Sequence, residues 1–229
     1  MKGIMGMKRT KLSDRILPNY TKGEELANMC THIVGGVLGI VALILCVIKA
    51  ASVRSVFGVV GCSIYGVSLI LLYTVSSVYH GLRPSTGKKV MQVIDHCTIY
   101  ILIAGSYTAV ALSAFHPLYP VIGWGMFGFQ WVLAALAVTL TAIDLKRYRA
   151  FSMTCYICMG WAILPFVPQT MAVLQPTGFW LLLFGGIAYT IGAVLYGFGS
   201  KKRWMHSVFH VFVVLGSLLQ FLAIYLRGI

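Results

Sequence analysis

Long apolar stretches alternate with short polar ones along almost the whole chain. Seven of them, 28–48, 56–79, 90–112, 119–143, 151–171, 178–199 and 205–226, come close to the roughly 20 residues that carry an α-helix across about 30 Å of hydrocarbon. The runs are continuous, without the strict alternation of a membrane β-strand. They predict an all-α membrane protein, a seven-transmembrane helix bundle formed by residues 28–229. The polar segment before it, 1–27, is basic and lacks the apolar core and small-residue cleavage site of a secretory signal peptide. Short connections make neighbouring spans antiparallel, and every backbone group inside the bilayer must find its partner within a helix.

Composition agrees: 59% of residues are hydrophobic and 10% charged, against about 25% charged in soluble domains. The net charge of +13 suggests nucleic acid until the cations are placed on the chain. Fifteen of the eighteen lysines and arginines fall in segments on one side of the seven spans, leaving Lys49, Arg54 and Arg227 on the other. By the positive-inside rule this asymmetry predicts a cytoplasmic N-terminus and an outside C-terminus in a multi-pass membrane protein. The charge reports topology and excludes a nucleic-acid partner. The six cysteines sit in or at the ends of apolar spans, so no disulfide framework is expected, and Cys155-x-x-Cys158 reads as packing. Gly35 and Gly39, one turn apart, read as close helix packing. Pro165 and Pro168 are expected to kink the fifth span, which can open a cavity but is read first as plain bundle geometry.

The topology also sorts the polar residues by depth. His32 lies early in span one, Ser76 and His80 late in span two, Asp95 and His96 early in span three, and His206 and His210 early in span seven, all at the cytoplasmic end. Only His116 is left at the outer face, in a surface or turn role. His206-x-x-x-His210 places two imidazoles one turn apart on one helix face, and His80 supplies a third nitrogen. Three neutral histidines predict a Zn²⁺ site with an open fourth position, the arrangement of catalytic zinc. Ser76, four residues before His80, projects from the same face. Asp95 is costly to bury without a partner and reads as general base and orienter. Taken singly, HxxxH is often interfacial imidazole and Ser76 a packing serine; the joint placement favours a metal. Haem is the weaker competitor, because it leaves the third histidine and Asp95 unexplained.

Ser76-x-x-x-His80, Asp95 and His206-x-x-x-His210, with Glu24-Glu25-x-x-Asn28-x-x-Thr31-His32 before and into span one, resemble the bacterial haemolysin III branch of the progestin and adipoQ receptor superfamily. The resemblance covers nearly the whole chain. It implies a seven-helix zinc protein related to adiponectin receptors and, more distantly, to alkaline ceramidases, in which the matching histidines bind zinc and a lipid amide is cleaved. It also implies a part in membrane-lipid homeostasis and an association with haemolysis. Glu24 and Glu25 could reach the site, but the favoured reading is that they pack and complement the positive N-terminal end of the first helix; His32 and His96 are read as lying near the site without ligating. The leading expectation is a zinc-dependent hydrolase of a lipid amide or ester, with Asp95 and Ser76 catalytic and a membrane lipid as substrate or ligand. A sensor or receptor with structural zinc, and a pore-forming haemolysin or transporter, stand beside it.

Overall fold

The computed structural model describes residues 9–199 and 202–229; Lys2, Lys8 and Lys201, three of the fifteen predicted cytoplasmic cations, lie outside them. The described residues are helical over most of the apolar stretches. In chain order the helices are α1 (Lys22–Ser52), α2 (Val56–Gly81), α3 (Thr86–Ala109, continued by a π-helical turn Val110–Phe115), α4 (Pro120–Ile143), α5 (Arg149–Gly160), α6 (Val167–Gly199) and α7 (Met205–Ala223, continued by a π-helical turn Ile224–Gly228). Among them are six stretches long and apolar enough to cross a membrane.

One of the six, Arg149–Gly197, is 49 residues long and covers predicted spans 151–171 and 178–199. It is interrupted twice. The expected kink at Pro165 and Pro168 is a full break: α5 stops at Gly160, and a 3₁₀ turn Leu164–Phe166 precedes α6. Pro165 lacks the N–H that would bond the Trp161 carbonyl and its ring would clash with that carbonyl, whereas Pro168 falls in the first turn of α6, where no such N–H is needed. Tyr107 of α3 repairs the break, its hydroxyl donating to the Gly160 carbonyl (2.8 Å) and accepting from the Ile163 N–H (3.0 Å). The second interruption is Gln175, at φ 56° and ψ 168°, directly before Pro176. The flanking arms lie side by side, with Leu174 against Gly178 and Gly228 at one end and the Arg149 guanidinium 5.9 Å from the Tyr196 ring centroid at the other.

Helix α1 begins at Lys22, earlier than predicted, because Thr21 and Glu24 form a capping box: the Thr21 hydroxyl accepts from the Glu24 N–H while the Glu24 carboxylate accepts from the Thr21 N–H. The helix buries Asn28, His32, Gly35 and Gly39 along one face. Gly35 and Gly39 act as packing residues; a Cβ on Gly35 would run into the Tyr73 ring. Helices α2 and α7 run antiparallel and are registered by a buried hydrogen bond from the Tyr73 hydroxyl to Ser217 Oγ (2.6 Å). Seven residues along each helix from that bond, in opposite directions, stand His80 and His210. Two helical turns on each side bring both histidines to one depth.

Candidate metal centre

His80 closes α2, and His206 and His210 open α7; all three are buried, and one nitrogen from each lies within 4.8 Å of the others. His206 Nε2 and His210 Nε2 are 3.1 Å apart. Two nitrogens about 2.0–2.1 Å from one tetrahedral zinc would be about 3.3 Å apart, so the pair already has the spacing of two ligands. His80 Nε2 is buried without a hydrogen-bond partner. Orphaned buried nitrogens are costly, and a shared cation relieves that cost. This group of three can hold a metal ion.

The tautomer of His80 is set from outside. Its Nδ1 lies 2.6 Å from Glu25 Oε2, so Nδ1–H donates to the carboxylate and the Nε2 lone pair faces the other histidines. Glu25 Oε1 accepts from the Lys88 ammonium at 2.5 Å, and Lys88 also donates to the Leu82 carbonyl. Glu25 is thus a partner of the site beyond its place in the first turn of α1, against the favoured helix-dipole reading, and Lys88, counted among the cytoplasmic-side cations, is buried in the bundle. Glu24 keeps the capping role and adds another, accepting from the N–H of Trp204 at 2.7 Å. Trp204 sits in the left-handed region (φ 66°) at the start of α7, so Glu24 fixes the entry of the helix that carries His206 and His210.

Asp95, on α3, is not within the histidine group. Its side chain is 17% exposed because it faces a cavity, and Ser76 stands beside its carboxylate and interacts with it. His96 lines the same cavity, its Nδ1 3.8 Å from Asp95 Oδ2, but its hydrogen bonds go elsewhere: Nδ1–H donates to the Gln92 carbonyl (2.8 Å), leaving Nε2 to accept from the Tyr196 hydroxyl (2.9 Å). His32 is closer to the site than expected, its ring 3.8 Å from that of His210, with both its nitrogens unpartnered. His116 packs on Phe57 and Trp124 at the far end of the bundle.

The cavity measures about 420 Å³, within the range of small-molecule sites. His206, His210, Ser76 and Asp95 line its polar end, and Ile103, Tyr107 and Trp161 its apolar limb. The break at Gly160 is thus part of the cavity floor, where plain bundle geometry was expected. Residues of the N-terminal segment cover the polar end. Tyr20 stacks on His206 at 4.8 Å, and burial pushes its phenol well up, so it remains a donor. The segment is tied down by Arg9 Nε donating to the Ile143 carbonyl and the Thr10 N–H donating to Asp144 Oδ2, both at 2.8 Å. Burial would raise the Asp144 pKa, but the N–H groups of Thr10, Arg147 and Lys146 outweigh it and hold the carboxyl below the ordinary range.

Tyr20 and Arg15, which also lines the cavity, were missed in the sequence, and Glu25 was given the helix-dipole role ahead of the site. A signal existed for Glu25: once Thr21-x-x-Glu24 is taken as a capping box, Glu25, Asn28 and His32 fall at i, i+3 and i+7 on one face. No comparable signal marks Tyr20 or Arg15, which lie in coil.

Residues 20–221 match the family model described as Haemolysin-III related. The chain is 36% identical to Hemolysin-3 of Bacillus cereus over 201 residues, covering 88% of this chain and 90% of that protein. It is 36% identical to the Hemolysin-3 homolog of Bacillus subtilis (strain 168) over 205 residues, covering 90% and 94%. The human Monocyte to macrophage differentiation factor is a more distant relative, 27% identical over 170 residues and covering 71% and 68%. With its six apolar helices this chain is a multi-pass protein of the plasma membrane. A match spanning nearly the whole bundle, together with identity above one third to two bacterial relatives, means that the chain belongs to the haemolysin III family.

Proposed function

We propose that the protein is a zinc-dependent hydrolase acting on an amide or ester of a membrane lipid. One observation carries the reading: His206 and His210, two of the three histidines of the group, line the same cavity as the Asp95 carboxylate, and that cavity continues into an apolar limb suited to an acyl chain. His80, His206 and His210 would hold the zinc, which when bound supplies a Lewis acid that polarises an acyl carbonyl and acidifies water. Glu25 keeps His80 in the tautomer that offers Nε2. Asp95 takes a proton at its carboxylate, and the Ser76 hydroxyl, which donates to that carboxylate beforehand, turns its one O–H to the carbonyl oxygen as charge develops there. Tyr20 and the N-terminal segment exclude bulk water from the polar end.

The group found among the described residues has three histidines and no fourth member, His32 packing on His210 without joining it, so the ligand set favours catalytic over structural zinc. The experiment is release of fatty acid from a panel of lipid amides and esters by purified protein in nanodiscs. Release that stops with a chelator and returns with zinc supports the reading. Zinc-replete protein that cleaves nothing in the panel overturns it in favour of a sensor.

The chain, in this reading, crosses the membrane seven times, with the N-terminus and the cavity mouth at the cytoplasmic side and the substrate drawn from the inner leaflet. A reporter fused after Ile229 is then active only outside the cytoplasm, and one in the 201–203 loop only inside. The reverse pattern would move the site to the outer leaflet.

A further inference from the structure

The cavity holds a second polar feature that the hydrolase reading does not use. Arg15, Lys146 and Arg149 all line it, from the N-terminal segment, the turn after α4 and the start of α5. Arg15 Nε and Nη1 are buried and have no hydrogen-bond partner. Among the described residues none of the three cations forms an ion pair. The carboxylates that might answer them are engaged elsewhere: Asp144 with backbone N–H groups, Glu25 with His80 and Lys88, and Glu24 with Thr21 and Trp204. Asp14, also in the lining, is exposed and accepts from Ser13, and Asp95 lies 3.8 Å from His96 Nδ1 with Ser76 beside it.

A guanidinium held with buried, unanswered N–H groups in a cavity is costly unless an acceptor enters, and a planar fork of donors matches a phosphate or carboxylate. The aromatic face of Tyr196 positions Arg149, whose guanidinium carbon is 5.9 Å from the ring centroid. We propose that Arg15, Lys146 and Arg149 form an anion-binding subsite that takes the phosphate-bearing headgroup of the lipid whose acyl linkage faces Asp95 and the histidines. The subsite deepens the hydrolase reading and rests on it for the placement of the acyl group. It makes the substrate an anionic amphiphile, with its headgroup at the cationic mouth and its chain in the limb by Tyr107 and Trp161.

The test uses full-length, zinc-loaded protein in phosphatidylcholine nanodiscs and measures retention of phosphatidic acid against diacylglycerol with the same acyl chains. Phosphatidic acid should bind roughly tenfold more tightly, the increment expected of charge-assisted hydrogen bonds. Arg15→Gln combined with Arg149→Gln should abolish the preference while zinc content and thermal unfolding stay at wild-type values; Arg15→Lys should retain most of it. Equal binding of the two lipids by wild type, or an undiminished preference in the folded double glutamine variant, overturns the subsite. Inorganic phosphate that binds as tightly as phosphatidic acid overturns the lipid as the source of the anion. Turnover is read on the same samples: selectivity without hydrolysis supports the subsite and counts against the hydrolase, and hydrolysis without selectivity does the reverse.

Discussion

Asp95→Asn is expected to keep its zinc and lose its turnover. Asparagine preserves the size of the side chain and its place beside Ser76 but cannot take up a proton, and positioned general bases contribute about 10²–10⁴ in rate. Asp95 stands outside the histidine group, so the metal should be indifferent to the change. Zinc content and lipid product are therefore expected to separate in this one variant. Measured together on one preparation, wild-type zinc with product formation reduced by about two to four decades fits the assignment. Wild-type turnover in the zinc-bound variant removes Asp95 as the base, and loss of zinc makes it a ligand instead.

Glu25→Ala should damage both metal binding and folding, because one carboxylate serves two buried partners. Its Oε2 orients His80, and loss of such an orienting carboxylate typically costs about 10–100-fold in metal affinity. Its Oε1 pairs with Lys88, which is 3% exposed and would keep only the Leu82 carbonyl and the face of Tyr79. Breaking a buried pair from one side costs about 3–5 kcal/mol, and the 20% exposure of the Glu25 side chain points to the lower end. Glu25→Gln still accepts from His80 but leaves the ammonium unneutralised, so it should recover more metal affinity than stability. Competition with a chromophoric chelator and thermal unfolding in detergent read the two effects separately. Unchanged zinc affinity in Glu25→Ala would show that the carboxylate does not orient the ligand.

What could be read in the sequence was what depends on helical periodicity. Uninterrupted apolar runs located the helices, and four-residue spacings in Ser76/His80 and His206/His210 placed side chains on shared faces. The alternation of span direction then brought α2 and α7 to one depth, as the Tyr73–Ser217 register confirms in the fold. Less legible was anything decided by competition between local and tertiary demands. Pro165 and Pro168 were visible as a disturbance, but a kink becomes a break only because the Tyr107 hydroxyl can satisfy the freed backbone groups from another helix. Lys88 looked like one more loop cation, since burying an ammonium is reasonable only when a carboxylate from α1 meets it there. The N-terminal segment has no period at all. Its contribution to the cavity, through Tyr20 stacked on His206 and Arg15 in the lining, follows from how the chain is tied to Ile143 and Asp144.

The most direct test of zinc held by three histidines and used on lipid is to count metal by elemental analysis in purified wild type and in the His206→Ala, His210→Ala double variant, with product release read on the same samples. The wild type should carry about one zinc per chain and the double variant almost none, with product falling in parallel. Full zinc occupancy in the double variant, or product release that persists without zinc, would contradict the account.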